Sequence, residues 1–265
     1  MKVALVVTTI QAPNDVMRSL AQAARERDAD FVVMGDRKSP PQYLLDGARY
    51  YTLDDQFREF PQFGTALPTG HYVRKNLGYL AALDRGCDWI VETDDYNFPL
   101  AGFFDPPPPV LQTRLLTGAT RWVNAYDYFS PTHSVWPRGF PLELVQQDAA
   151  LVPTAQQSER PAIIQGLAND NPDVDAVYRL TRPLPIDFDA QALPLALDAG
   201  LWCPFNSQNT WFRRDVSSLC YLPTHCTFRM TDIWRSFVAQ RCLWELDSGS
   251  YSQRPPCGKS AMNTT

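Results

Sequence analysis

Three carboxylates, Glu92, Asp94 and Asp95, fall within four positions of the stretch VETDDYNFP, where the apolar run CDWIV stops. At the end of a buried strand such acids repel one another unless they are solvated, paired or gathered around a cation. Polar groups also close the two earlier apolar runs: Thr8, Thr9 and Gln11 follow KVALVV, and Gly35, Asp36, Arg37 and Lys38 follow DFVVM. Oxygen ligands without histidine or cysteine suit Mg2+ or Mn2+ better than zinc. Short hydroxyl, amide and acidic groups beside them suit the base, ribose and phosphates of a nucleoside diphosphate.

The stretch before the acids, HYVRKNLGYLAALDRG, reads as a helix with Val73, Leu77 and Leu80 on its apolar stripe and Gly86 as terminator. Arg74 and Gly78 share one face at i and i+4. An interior glycine costs about 1 kcal/mol relative to alanine, so close approach of backbone or ligand is its expected cause. Arg74 or Lys75 then balances a carboxylate or a diphosphate; the plainer alternative is a solvated basic pair beside ordinary helix–sheet packing.

Four groups in the second half carry two readings each. Asp232 in FRMTDIWR, with Arg229 nearby, is either a helix N-cap or an active-site acid. The run Asn206, Ser207, Gln208 and Asn209 either bonds sugar hydroxyls or makes a polar turn. Trp202, Phe205 and Trp211 around it form an apolar platform or belong to the core. Asp173 and Asp175, on one strand face with Arg179 beyond, make a strand-edge salt bridge or contact substrate. His71 and His133 have no partner pattern and read as surface or loop residues.

These groups need a scaffold. KVALVVTT, DFVVMGD and CDWIVETDD are apolar runs separated by helices, the first being NDVMRSLAQAARERD with Val16, Leu20 and Ala23 or Ala24 on one face. That order predicts an α/β fold whose mostly parallel sheet is covered by helices on both faces, and a ligand crevice beyond the strand ends where the strand order reverses. After residue 100 the texture changes: FFDPPPPV is a rigid turn, and 23 prolines in 265 residues are nearly twice the usual share of about 5%. TRWVNAYDYF and DAVYRLT read as strands, and a helix runs from about Ile233 to Leu246, begun by Thr231 or Asp232. Residues 248–265 show no periodicity and read as a disordered tail.

Composition bounds the partners. A net charge of −5 with scattered basic residues argues against nucleic acid or an anionic membrane. Six cysteines without a C-x-x-C pair, and three histidines, argue against structural zinc and for free buried thiols. The opening MKVALVVTTI is too short for a signal core or a membrane span, so the chain as given is expected to be cytoplasmic, with a membrane-anchored longer parent still open.

VVMGDRKSP, YVRKNLGYLAAL, IVETDDYN, QGLANDNPDVDAVYRLTR, PFNSQNTWF and TFRMTDIWRSFVAQRCLWEL, in that order over residues 1–247, resemble the STELLO family of glycosyltransferases. A more distant similarity is to the reversibly glycosylated polypeptides, the UDP-arabinopyranose mutases. The resemblance implies one GT-A domain over 1–247, with a nucleotide-binding half (1–100) and an acceptor and sugar half (101–247). It implies hexosyl transfer from a UDP-sugar such as UDP-glucose and a Mn2+ or Mg2+ ion at the acids. The family's three successive acids are here Asp94, Asp95 and Tyr96, which leaves Asp94 or Asp95 as the metal carboxylate with Asn97 as helper and His225 as a late ligand. Thr8, Thr9, Gln11, Asp36, Lys38, Arg74, Lys75, Asp94, Asn206, Gln208 and Asn209 are then the donor-binding set, and Asp232 the base or sugar ligand. Two rival functions stay open: a nucleotide-sugar mutase, and a catalytically weak scaffold in a polysaccharide-synthesising assembly, the latter motivated by the missing third acid.

Overall fold

Every residue of the first strand from Val3 to Val7 is buried, and alternate side chains enter two different cores. In a computed structural model, which describes residues 1–118, 121–130, 134–146, 152–153, 155–159, 161–246 and 250–260, β1 (Val3–Thr8) sends Leu5 and Val7 against Val16, Met17, Leu20, Ala21 and Ala24 of α1 (Asp15–Glu26). Ala4 and Val6 point to the opposite face. His133 and residues 248–249 and 261–265 lie outside the described residues.

β2 (Asp30–Met34) pairs with β1 in parallel, with Thr8 opposite Met34, and β3 (Ala48–Tyr51) continues outward. The chain then passes through α2 (Leu53–Glu59), α3 (Pro61–Ala66), a 3-10 turn at Tyr72–Arg74 and α4 (Lys75–Asp84). It returns to the other side of β1 as β4 (Trp89–Thr93), again parallel. The order β3-β2-β1-β4 therefore reverses direction at β1, which opens the expected crevice beyond its end. Gly86 adopts φ +78° after α4, where its N–H bonds Leu83 O at 2.9 Å, and so stops the helix as expected. The segment Ala48–Ala66 carries elements that the sequence reading left blank; a capping box between Thr52 and Asp55 starts α2.

Gly78 has a packing cause. A Cβ at that position would stand 2.4 Å from Val6 Cγ1 and 3.3 Å from Met34 Cγ, so α4 lies directly on β1 and β2 and no ligand is involved.

The second half comprises β5 (Asn97–Pro99), β6 (Leu111–Leu116), β7 (Arg121–Trp122), α5 (Ala125–Phe129), β8 (Ala155–Glu159), β9 (Pro161–Asn169), α6 (Ala176–Thr181), β10 (Leu195–Leu197), β11 (Leu201–Trp202), β12 (Asn209–Arg213), α7 (Thr231–Leu243) and β13 (Ser250–Ser260). The sheet continues from β4 through β12, β9, β13, β10, β6 and β8, where β12 is antiparallel to both neighbours, β9–β13 and β10–β6 are parallel, and β13–β10 and β6–β8 are antiparallel; β5 pairs with β13, and β7 with β11 apart from it. The α/β class with helices flanking a largely parallel sheet is thus the fold, in keeping with GT-A.

Several expectations change. DAVYRLT is not a strand: Asp175 Oδ1 accepts the N–H of Tyr178 at 2.7 Å and caps α6. In TRWVNAYDYF only Arg121–Trp122 is extended, and Ala125–Phe129 is helical. Residues 250–260 run as a strand within the sheet, where a tail without structure was expected. α7 begins at Thr231 but ends at Leu243, and the preceding Met230 is itself helical, so neither Thr231 nor Asp232 caps it by its side chain.

Cys87, Cys203 and Cys220 are buried free thiols, and burial pushes Cys87 up to about 11. Among the described residues no helix is long and apolar enough to cross a membrane.

Candidate functional site

A cleft of about 540 Å³ opens beyond the ends of β1, β2 and β4. Thr8, Thr9, Asp36, Lys38, Arg74, Asp94, Asp95, Gln208 and Asp232 of the expected set line it, together with Arg138, Asp173, Tyr72 and Phe228 from elsewhere in the chain.

The three acids of VETDDYNFP separate. Glu92, within β4, is fully buried on the sheet, where it pairs with Arg235 of α7 at 2.6 Å and accepts the Tyr79 hydroxyl. It does not reach the cleft. Asp94 receives Lys75 Nζ at 3.0 Å and the Tyr96 hydroxyl at 2.8 Å. Asp95 receives the Thr9 hydroxyl at 2.5 Å, while its carbonyl accepts Asn14 Nδ2, the N-cap of α1, at 2.9 Å. Burial, with the charge of Asp94 beside it, raises the Asp95 pKa despite the Thr9 bond.

The two basic candidates also separate. Lys75 is fully buried and gives its ammonium to Asp94 and to Thr93 O, each at 3.0 Å. Arg74 borders the cleft, but its guanidinium faces away, into Gln56 Oε1 (2.6 Å), Leu67 O (3.1 Å) and Gly64 O (3.3 Å), above the Phe57 ring. Burial lowers its pKa, and no carboxylate bonds it among the contacts described. It holds α2 and α3 against α4 and is a structural residue, not a diphosphate ligand.

Asp36 is anchored as well. Its carboxylate accepts the N–H groups of Gly70 at 2.7 and 2.8 Å and of His71 at 3.1 Å, which ties the end of β2 to the turn before α4. Lys38 and Arg37 stand exposed at the rim. Gln11 is exposed outside the lining residues and gives its backbone N–H to Thr9 Oγ1 at 3.1 Å.

The polar run 206–209 serves mainly as internal bracing. Asn206 is buried, accepting Gln208 N at 2.9 Å through its Oδ1 and giving its own N–H to Gln165 Oε1 at 2.9 Å. Asn209 is buried on β12, and Asn97 gives its Nδ2 to Gln208 O at 3.1 Å. Gln208 alone of the three expected amides lines the cleft, with Oε1 accepting Asp173 N at 3.1 Å. Trp211 and Phe205 are core rings, and Trp202 packs among Trp122, Phe237 and Trp244. His225 is exposed in a turn outside the cleft lining, so neither it nor Asn97 is placed to hold a cleft cation.

Across the cleft from the β4 acids stands an arginine that the sequence reading missed, between two acids that it named. Arg138 forks between two carboxylates: Nε and NH2 bond Asp173 at 2.8 and 2.6 Å, and NH2 bonds Asp232 at 2.9 Å. Its NH1 also bonds Arg229 O. Asp232 further receives Ser207 N at 3.2 Å and Ser207 Oγ at 3.3 Å. Burial would raise Asp232, but Arg138 outweighs it and the pKa falls; for Asp173 burial dominates Arg138 and the pKa rises, assisted by the charges of Asp232 and Asp94. One buried cation thus holds two acids in different proton affinities. The available signal was the PRGF arginine, but nothing in its neighbourhood pointed to acids 35 and 94 residues away.

The cleft lining carries five acids, Asp36, Asp94, Asp95, Asp173 and Asp232, and five bases, Arg37, Lys38, Arg74, Arg138 and Arg229, with Lys75 buried behind Asp94. Among the described residues, no three His, Cys, Asp or Glu side chains converge as a ready-made metal-binding group.

Over 270 aligned residues the chain is 30% identical to two Arabidopsis thaliana proteins, the probable glycosyltransferases STELLO1 and STELLO2, across 95% of its own length. It spans about a third of the length of these curated relatives, 34% and 35%. No protein-family model matches the chain. The STELLO-type resemblance carried by six separate motifs therefore extends over nearly the whole sequence.

Proposed function

We propose that this STELLO-type chain is a metal-dependent glycosyltransferase domain that takes a hexosyl group from a UDP-sugar to an acceptor hydroxyl. The observation that carries the reading is the cleft at the strand-order reversal, with Asp94 and Asp95 adjacent at the end of β4. A diphosphate placed beside Asp94 and Asp95 brings like charges together and calls for a cation between them, since Lys75 is already engaged with Asp94, Arg74 is turned away, and Arg37 and Lys38 stand at the rim.

The donor set fits Mg2+ or Mn2+. Asp94 and Asp95 offer oxygens only, and such an ion takes one or two carboxylates and completes its shell with phosphate oxygens and water. When bound, the ion neutralises charge on the departing diphosphate.

The chain's own residues do the rest. Lys75 orients Asp94, and Thr9 orients Asp95. Thr8, Asp36 and Lys38 border the nucleotide side. Gln208 and the Asp173–Arg138–Asp232 group face the sugar and acceptor. The proton of the acceptor hydroxyl goes to this acidic group, with Arg138 fixing which carboxylate holds it.

Isothermal titration of the chain with UDP, with and without Mn2+, tests the proposal. Binding that requires the metal, and that is lost in Asp95→Asn without loss of folding, is expected. Equal affinity without metal, or no binding of UDP, ADP or GDP under either condition, would overturn it.

A further inference from the structure

Three rings on the cleft wall have no part in the reading above. His71 stacks on Tyr72, with centroids 5.2 Å apart and planes at 17°. Phe228 meets Tyr72 edge-on at 4.7 Å and lies 5.1 Å from His71. All three line the cleft.

Two of them are fixed from both ends. The Tyr72 hydroxyl accepts the backbone N–H of Asp232 at 3.1 Å, while the His71 backbone N–H goes to Asp36 and its ring accepts the backbone N–H of Val73 through Nδ1 at 3.1 Å. Nδ1 as acceptor makes the imidazole neutral, and burial lowers its pKa in the same sense. Phe228 differs. It comes from the irregular stretch before α7, is held in the described contacts by ring packing alone, and stands 55% exposed on the cleft wall.

The wall runs between the two sides of the cleft, from Asp36 on the side assigned above to the nucleotide to Asp232. Asp36 holds its His71 end, and Asp232 its Tyr72 end. Phe228 is tilted at 55° to His71 and 71° to Tyr72, so the open face is its own ring, backed by the other two; an uncharged ring face accepts a planar π-system and offers little to a phosphate.

We propose that His71, Tyr72 and Phe228 form the stacking surface for the heterocyclic base of the nucleotide, with Phe228 supplying the exposed face. The subsite rests on the nucleotide-sugar reading and adds to it where the base lies: on this wall and not over Gln11. Stacking tolerates any base, so the wall gives affinity for the nucleoside, while base choice falls to hydrogen-bonding neighbours.

Isothermal titration with UDP and, separately, inorganic pyrophosphate, both with Mn2+, tests this on the wild type, Phe228→Ala and Phe228→Trp. Phe228 is exposed, so both variants are expected to melt with the wild type. UDP should lose about ten-fold or more in affinity in Phe228→Ala, in line with loss of one aromatic stacking partner. Pyrophosphate should be unaffected, and Phe228→Trp should restore UDP binding. An equal loss for both ligands, no loss for UDP, or a wild type that binds UDP no better than pyrophosphate overturns the subsite while leaving a diphosphate site standing. Failure of the wild type to bind either ligand instead overturns the nucleotide reading, and the subsite with it.

Discussion

Replacing Glu92 by glutamine removes the charge of a carboxylate that is fully buried against Arg235 and Tyr79. Loss of one partner from a buried pair leaves the other charge uncompensated, a cost of about 3–5 kcal/mol. The remaining contacts of Arg235, a bond to Asn206 O at 3.1 Å and the Phe205 ring 5.3 Å away, do not neutralise it. The amide keeps the shape and an acceptor oxygen, so the lower end applies, about 3 kcal/mol, or on the order of 10 °C in Tm for a chain of this size. Asp95→Asn should do the opposite. Burial and the Asp94 charge hold the folded-state pKa of Asp95 above its unfolded value, so its ionisation costs the ligand-free fold stability as pH rises through the carboxylate range. The variant should melt at or above the wild type at pH 7. Calorimetry with and without UDP and Mn2+ separates the roles, since ligand at about 100 times Kd adds about 2.7 kcal/mol. Glu92→Gln should melt low yet keep the full ligand increment, and Asp95→Asn should melt normally and lose it. A Glu92→Gln variant with wild-type Tm and no increment would refute the division of the acids.

Arg74→Ala should cost about 2 kcal/mol in urea unfolding, because hydrogen bonds from a charged donor to Gln56, Gly64 and Leu67 are lost, while UDP affinity by titration stays within about two-fold. Asp30 pairs with Arg85 at 2.8 Å and Lys2 at 3.3 Å, and chiefly the Arg85 bond lowers its pKa. That contribution exists above the unfolded carboxylate value and disappears as pH falls through the folded one. Asp30→Asn should therefore lose about 0.5–1 kcal/mol at pH 7 and match the wild type near pH 2 in denaturant titrations. Gly78→Ala forces a methyl to within 2.4 Å of Val6 Cγ1; overpacking of about 1–3 kcal/mol exceeds the helix-propensity gain of about 1. Melting should show a net loss that Val6→Ala in the same chain partly recovers.

What the sequence makes legible here follows the range of the interactions. The first strands, α1, α4 and the stop at Gly86 are written in local periodicity, and the three strand ends meet because β2, β1 and β4 are neighbours. The second half is set by distant partners. β9 sits between β12 and β13, and DAVYRLT, short and apolar enough for either state, becomes helical through its Asp175 cap. Within the site, composition names the right kinds of group but not their direction: Arg74 and Lys75 are adjacent, yet one braces α2 and α3 and the other pairs with Asp94.

Tyr96 carries the same lesson to the cleft itself. Where a third successive acid was expected, the Asp94 charge beside this part-exposed phenol raises its pKa and keeps it protonated, and it donates to Asp94 at 2.8 Å. It therefore orients a carboxylate and adds no charge. Asp173 lines the same cleft from the turn after β9 and feels the field of Asp94, but Arg138 is paired with it and burial raises its pKa, so it does not replace the missing charge. The departure from three consecutive acids thus leaves Asp94 and Asp95 as the adjacent carboxylates, with Tyr96 positioning the first. Tyr96→Phe tests that division of labour: it removes the bond to Asp94 but no charge, so metal-dependent UDP affinity should fall only a few-fold, consistent with about 1 kcal/mol for one hydrogen bond. Loss as complete as in Asp95→Asn would instead make the phenol itself a ligand.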